Sequence, residues 1–148
     1  VNESFRYGLG ASYISNIADT DGLQDAYEPY GHETSEFVGG YSVYGIAGIG
    51  SFEFRAEYLT AADAFSDGDL AGMQPQACNF EIGYDFALPL HLALRYAGAD
   101  DFEVEKQYGA TLAYDLAEEA TLALEYLHMK NEDSTKSDMV TLQLAMEF

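Results

Sequence analysis

Residues 78–96 read CNFEIGYDFALPLHLALRY, and two interleaved sets of side chains run through them. Cys78, Phe80, Ile82, Tyr84 and Phe86 alternate with Asn79, Glu81, Gly83 and Asp85. After Ala87-Leu88-Pro89, Leu90, Leu92, Leu94 and Tyr96 alternate with His91, Ala93 and Arg95. A period of two belongs to a strand, whose successive side chains point to opposite faces. The short proline-containing break reads as a tight turn. The stretch therefore predicts an antiparallel hairpin, oily on one face and polar on the other.

The same pattern recurs on both sides. Phe5, Tyr7, Leu9, Ala11 and Tyr13 face Arg6, Gly8, Gly10 and Ser12; Phe52, Phe54, Ala56 and Tyr58 face Glu53, Arg55 and Glu57. Downstream, Tyr108, Ala110, Leu112, Tyr114 and Leu116 alternate with Gly109, Thr111, Ala113 and Asp115. Leu122, Leu124 and Tyr126 then alternate with Ala123, Glu125 and Leu127, and Val140 to Phe148 with Thr141, Gln143, Ala145 and Glu147. The glycine-rich segment 37–47 is apolar on both faces and completes eight expected strands. Residues 117–127 carry good helix formers, but the alternation from Leu122 to Tyr126 fits a strand better. The strings FRAEYL, LALRYA and LALEYL place Tyr58, Tyr96 and Tyr126 equivalently, each before an expected loop, as Tyr13 is on the first strand.

Connections alternate in length. Gly48–Gly50, Ala87–Pro89 and Ala117–Ala120 read as turns, and residues 17–34, 61–75, 99–106 and 130–138 as longer polar loops. The expected fold is all-β: one domain over residues 1–148, an antiparallel up-and-down meander of eight strands.

Composition decides which face meets what. The chain has 148 residues, six Lys and Arg against 26 Asp and Glu, and a formal charge of -20, so no basic patch exists to neutralise nucleic-acid phosphates. Apolar residues make up 48 %, which excludes a disordered acidic tail. One cysteine, Cys78, excludes an internal disulfide and a thiolate zinc site. No run of about 18 apolar residues is present for a spanning helix. A soluble barrel would turn the oily face inward, and an outer-membrane barrel turns it outward to lipid. The polar face is rich in Gly, Ala, Ser and Thr rather than Lys, the three lysines (Lys106, Lys130, Lys136) fall in or beside the expected loops, and aromatics gather near both strand ends. These features favour a transmembrane β-barrel, with strands of about 9–11 residues and two aromatic belts. In lipid such a sheet must close, because unpaired edges are costly.

The C-terminal stretch MVTLQLAMEF (139–148) resembles the terminal strand by which bacterial outer-membrane proteins are recognised for insertion. Together with GLGASYISNIADTDGL (8–23), FEFRAEYLTAADAF (52–65) and QYGATLAYDLAEEATLALEYLHMKNED (107–133), the chain resembles the C-terminal part of the siderophore-porin family of the legiobactin-uptake type. That resemblance implies an outer-membrane barrel of Gram-negative bacteria that passes iron-siderophore complexes or other small solutes. The family's members are longer, so the chain is expected to be either a small barrel complete in itself or the C-terminal portion of a larger one. The expected setting has long loops outside, termini in the periplasm, lipid and lipopolysaccharide around the barrel, and the barrel-assembly machinery engaging the strand that ends at Phe148.

The inward face would carry Arg6, Glu53, Arg55, Glu57, Glu81, Asp85, Arg95, Asp115, Glu125 and Glu147. As a pore lining, so many carboxylates favour cations. As a filled interior, the arginines would pair with acids on their own and neighbouring strands. The second possibility gives a closed structural or interaction barrel whose loops contact a surface partner or another copy. Acids in the long loops would repel anions and gather divalent cations, which can bridge to lipopolysaccharide phosphates. In the first loop, Asp19, Asp21, Asp25 and Glu28 fall at positions 3, 5, 9 and 12 of a calcium loop, with Gly22 at the sixth. Position 1 would be Ile17, which cannot ligate, so a solvated loop is the default and no cofactor is expected. His32, His91 and His128 have no neighbours at metal-binding or nucleophile–base spacing, so no enzymatic chemistry is expected.

Overall fold

A computed structural model describes residues 5–17, 37–66, 71–101 and 104–147. Eight strands make a single sheet: β1 (Phe5–Ile14), β2 (Gly40–Ile49), β3 (Phe52–Ala61), β4 (Gln76–Asp85), β5 (Leu90–Asp100), β6 (Val104–Ala117), β7 (Ala120–Asn131) and β8 (Lys136–Met146). Each strand pairs antiparallel with its sequence neighbours, in the order β1 to β8. The meander read from the period is thus present, and 117–127 is strand and turn rather than helix.

The sheet is not closed. β1 pairs with β2 and β8 with β7, and no ladder joins β1 to β8, so the sealed eight-stranded cylinder is not what this chain forms. Both outer strands keep an unpaired edge among the described residues.

Two expected loops are much shorter than their composition suggests. β5 and β6 run on through most of 99–106, and β7 and β8 through most of 130–138. Polar side chains there are held in strand geometry by neighbours: Lys130 donates to Glu105, and the Lys106 ammonium lies 3.0 Å from the same carboxylate. β2 begins at Gly40 rather than at 37 and extends to Ile49. Its double-sided apolar character has a local cause. Tyr44 and Ile46 lie on the charged face, where Gly10 and Gly8 of the paired strand leave room for them. Gly50, with φ +60°, occupies the first central position of the two-residue β2–β3 hairpin, where a primed turn calls for glycine.

A small core sits at one end of the sheet. Val38, Ala61 and Phe65 are buried, and Ile17 and Met73 pack against them. Backbone bonds tie this cap together: Ile17 N–H to the Val38 carbonyl (2.8 Å), Ala62 N–H to Gly39 (2.7 Å) and Phe65 N–H to Met73 (2.9 Å). Elsewhere the sheet holds its shape through its ladders.

Candidate functional site

Alternation gives the sheet two chemically distinct faces, and the oily one is not covered as it is in soluble proteins. On the central strands Phe80, Leu94 and Leu124, which a soluble barrel would bury at its centre, remain 52 %, 48 % and 48 % exposed. The charged side chains of Glu81, Arg95 and Glu125, on the other face, are 26 %, 33 % and 31 % exposed. The oily face is open, and on the polar face Arg6 and Arg55, nearer the β1 edge, are exposed as well.

The polar face carries a belt of opposite charges at mid-height. Arg55, Glu81 and Arg95 are successive partners in one register row. Arg6, Glu53 and Glu125 belong to the neighbouring row, reached through Gly48, Gly83, Ala93 and Thr111. Arg55 reaches Glu53 at 2.5 Å through Nη2 and 2.8 Å through Nε, and approaches Glu81 at 3.5 Å. Arg6 lies 3.4 Å from Glu53, and Arg95 3.6 Å from Glu125. All three arginines thus face acids. In open water such pairs contribute about 0–1 kcal/mol each, so they order the face more than they stabilise the sheet.

Towards the turns a second group forms. The ring of His91 stands between two carboxylates, its Nδ1 2.8 Å from Asp85 and its Nε2 2.8 Å from Asp115. Thr121 donates to the other Asp115 oxygen at 2.7 Å. A neutral imidazole has one N–H, so only the imidazolium satisfies both carboxylates at once. His91 looks solitary in the sequence. The Phe86–Pro89 turn sets it opposite Asp85, and the next hairpin brings up Asp115. Glu147 follows β8 at this end, its N–H donating to the Glu119 carbonyl at 3.0 Å.

Towards the other end of the same face, Glu57, Asn79, Ala97 and Gln107 share one register row. They border a cavity of about 260 Å³. Glu57 makes no ion pair among the described residues, and Arg55 pairs with Glu53 and Glu81 instead. Alternation places Asn79 on the polar face, but neither it nor Gln107 stood out as a site residue. Their neutral amides on a mixed strand face carry no signal in one sequence.

The oily face has a sharp upper boundary. Tyr13 pairs with Tyr41. The row of Tyr41 leads to Thr60, so Tyr58 lies one row lower. Tyr58's row runs through Cys78 and Gly98 to Lys106, so Tyr96 and Tyr108 lie a further row down. Their row continues to His128, and Tyr126 is one row lower again. The tyrosine line therefore slides by about one residue per strand. A slide of about 3.4 Å per inter-strand spacing of about 4.8 Å sets the strands about 35° from the normal to that line. Beyond the line this face carries Thr60, Gln76, Asp100, Lys106, His128, Lys130, Lys136 and Asp138. Hydroxyls turn the same way: Tyr58 donates to Gln76 (2.9 Å) and Tyr126 to Asp138 (2.6 Å). Below the line none of the eight strands puts a charged side chain on this face. Aromatics return at the turn end, where Phe52 packs on Tyr84 at 4.7 Å and Tyr84 on Phe86 at 4.8 Å. A hollow of about 870 Å³ is a trough in this oily face, floored by Gly45, Ala47 and Ala56. Its lining is mostly hydrocarbon, but Arg55, Glu81 and Arg95 of the charged belt border it as well.

The acids proposed for calcium, Asp19, Asp21, Asp25 and Glu28, lie outside the described residues, as do His32 and Phe148. Among the described residues no group of three or more His, Cys, Asp or Glu is placed to hold a metal. Among the described residues no helix is long and apolar enough to cross a membrane.

No family model matches the chain. A UPF0422 protein of Coxiella burnetii (strain RSA 493 / Nine Mile phase I) is 28 % identical over 134 residues, which cover 83 % of this chain and 29 % of that protein. The chain thus spans less than a third of the length of the relative it matches.

Proposed function

We propose that this chain is part of a bacterial outer-membrane β-barrel that passes small solutes, iron-siderophore complexes among them, along its charged face. The observation that carries the reading is the exposed oily face, free of charge below a tyrosine line that crosses the strands at the tilt transmembrane barrels adopt, about 35–45°. Lipid is the medium such a face suits, and the tyrosines suit its interface. The charged belt then looks into the lumen, where unpaired acids favour cations.

The open edges give the reading its shape. In hydrocarbon the unpaired groups of β1 and β8 need partners, so further strands must complete the barrel. A relative more than three times the matched length is consistent with such strands. The surroundings follow from the same reading: lipid and lipopolysaccharide outside, the assembly machinery acting on the last strand, and loops outside the cell.

One observation favours a second reading. The pairing of all three arginines with acids is what a filled, closed lumen would use to stiffen itself. Planar-bilayer recordings separate the two. Stepwise cation-selective openings from the full-length protein support conduction, and a bilayer that stays silent after verified insertion overturns it.

A further inference from the structure

The cavity of about 260 Å³ on the polar face, beyond the charged belt, is bordered by three polar side chains without partners. Glu57 on β3, Asn79 on β4 and Gln107 on β6 make no side-chain hydrogen bond or ion pair among the described residues, and Asn79 Oδ1 is buried. Among the described residues one other buried side-chain polar atom, Arg95 Nε, lacks a partner. In the belt below, every arginine faces an acid, and at the turn end His91, Asp85, Asp115 and Thr121 bond to one another. A buried acceptor without a donor costs about 1–3 kcal/mol, so the Asn79 oxygen calls for a donor, and beside it the exposed Glu57 and the half-buried Gln107 have side chains free to bind an occupant.

The missing chemistry can be specified. Glu57 is an acceptor with negative charge and no counter-ion, and Asn79 presents an unsatisfied carbonyl oxygen. Both call for N–H or O–H donors, and the carboxylate calls for a cation. Between Asn79 and Gln107 the row has only Ala97, and Ala77 and Ala99 stand in the next row, so the floor is methyl groups. The volume lies just below the range of drug-sized sites, about 300–1,000 Å³.

From this geometry we propose that the Glu57–Asn79–Gln107 cavity binds a small solute bearing a primary ammonium group. The ammonium donates to the Glu57 carboxylate and the Asn79 oxygen, and its short carbon chain lies on Ala77, Ala97 and Ala99. The Gln107 amide closes the far side. The site rests on the reading of the polar face as a solute path and adds to it a chemical class: small organic cations are held here on their way past the belt.

The test uses the full-length protein in detergent micelles and calorimetric titration with 1,4-diaminobutane. The isosteric uncharged 1,4-butanediol serves as the comparison. The diamine is expected to bind and the diol not. Glu57→Gln, which keeps shape and removes charge, is expected to weaken the diamine about tenfold or more. Ala97→Leu, which fills the floor, should abolish binding with no change in charge, while Glu119→Gln, in the turn at the opposite end, should leave it unaltered. Circular dichroism verifies that each variant is folded. Equal binding of diamine and diol overturns the proposal, as does diamine binding that survives Glu57→Gln. Bilayer recordings on the same preparation keep the two readings apart. Openings without diamine binding remove the site and leave conduction standing, whereas Glu57-dependent binding in a silent bilayer removes conduction and leaves the site.

Discussion

Single residues mark where the oily face ends, and turn chemistry fixes the register behind that boundary. In the β7–β8 turn the Thr135 hydroxyl donates to Asp133 Oδ1 at 2.5 Å and the Thr135 amide at 2.8 Å. These two bonds hold the Asp133 carboxyl below the ordinary carboxylate range. Its folded value is lower than its unfolded one, so its contribution is fully present above about pH 4 and disappears as pH falls through the folded value. Hydrogen exchange at the Thr135 amide, corrected for intrinsic rate, should stay slow through pH 4 and accelerate below it. Asp133→Ala should show the fast rate at every pH. Slow exchange persisting at pH 2, or unchanged by the substitution, would show that the cap is not the carboxylate. The charged residues of the polar face were legible one by one, because alternation alone assigns Arg6, Glu53, Arg55, Glu81, Arg95 and Glu125 to one side. Their partners were legible only in part: Glu53 and Glu57 both flank Arg55 on one strand face, and Arg95 has acids on neighbouring strands. Whether Arg55 turns to Glu53 or Glu57 depends on rotamer and whether an acid of β4 joins depends on register, and it is Glu53 and Glu81 that it meets.

At the level of strands, the period identified all eight but misjudged their ends. β5 to β8 continue past the point where the oily face turns polar, so alternation of apolar and polar residues stops while the ladder does not. Lys106, His128, Lys130 and Lys136 are therefore strand residues on the oily side, above the tyrosine line. The same boundary gives a measurable depth profile. On β6 this face runs from Tyr108 to Leu116, about 22 Å along the normal to the tyrosine line at a tilt of about 35°, close to the apolar band of about 25 Å in known barrels. Leu112 is at its centre. Leu112→Arg should cost about 2–4 kcal/mol in urea unfolding from lipid bilayers, and Leu116→Arg, near the turn-end interface, about 0–1 kcal/mol. Thr111→Arg, on the polar face beside Leu112, should fall within about 0.5 kcal/mol of the parent. A protein core would penalise by packing rather than by height. Equal losses at Leu112 and Leu116 would therefore remove lipid as the medium.

For the whole molecule, the decisive feature is that a sheet with two such faces has two free edges. Alternation indicated a barrel because it reports faces. Closure depends on how many strands are joined and with what stagger, which is a property of the complete ladder. β1 and β8 end this ladder, and along each the amides that point away from the sheet lack strand partners. In water those groups would be solvated, and in hydrocarbon they would have to pair. Amide exchange in micelles reads this directly. In the 148-residue chain alone, β4 and β5 should exchange slowly throughout, and β1 and β8 should show alternating slow and fast amides. In the full-length protein, if additional strands complete the barrel, the fast set on both edges should become protected. The alternative, in which β1 folds onto β8, makes the opposite forecast. Both edges would then be protected in the short chain already, and the barrel would close at eight strands, with an interior that side chains fill and no path for solute. Slow exchange at every amide of β1 and β8 in the isolated chain would thus end the conducting reading at its root, because the charged belt would then be the packing of a closed lumen.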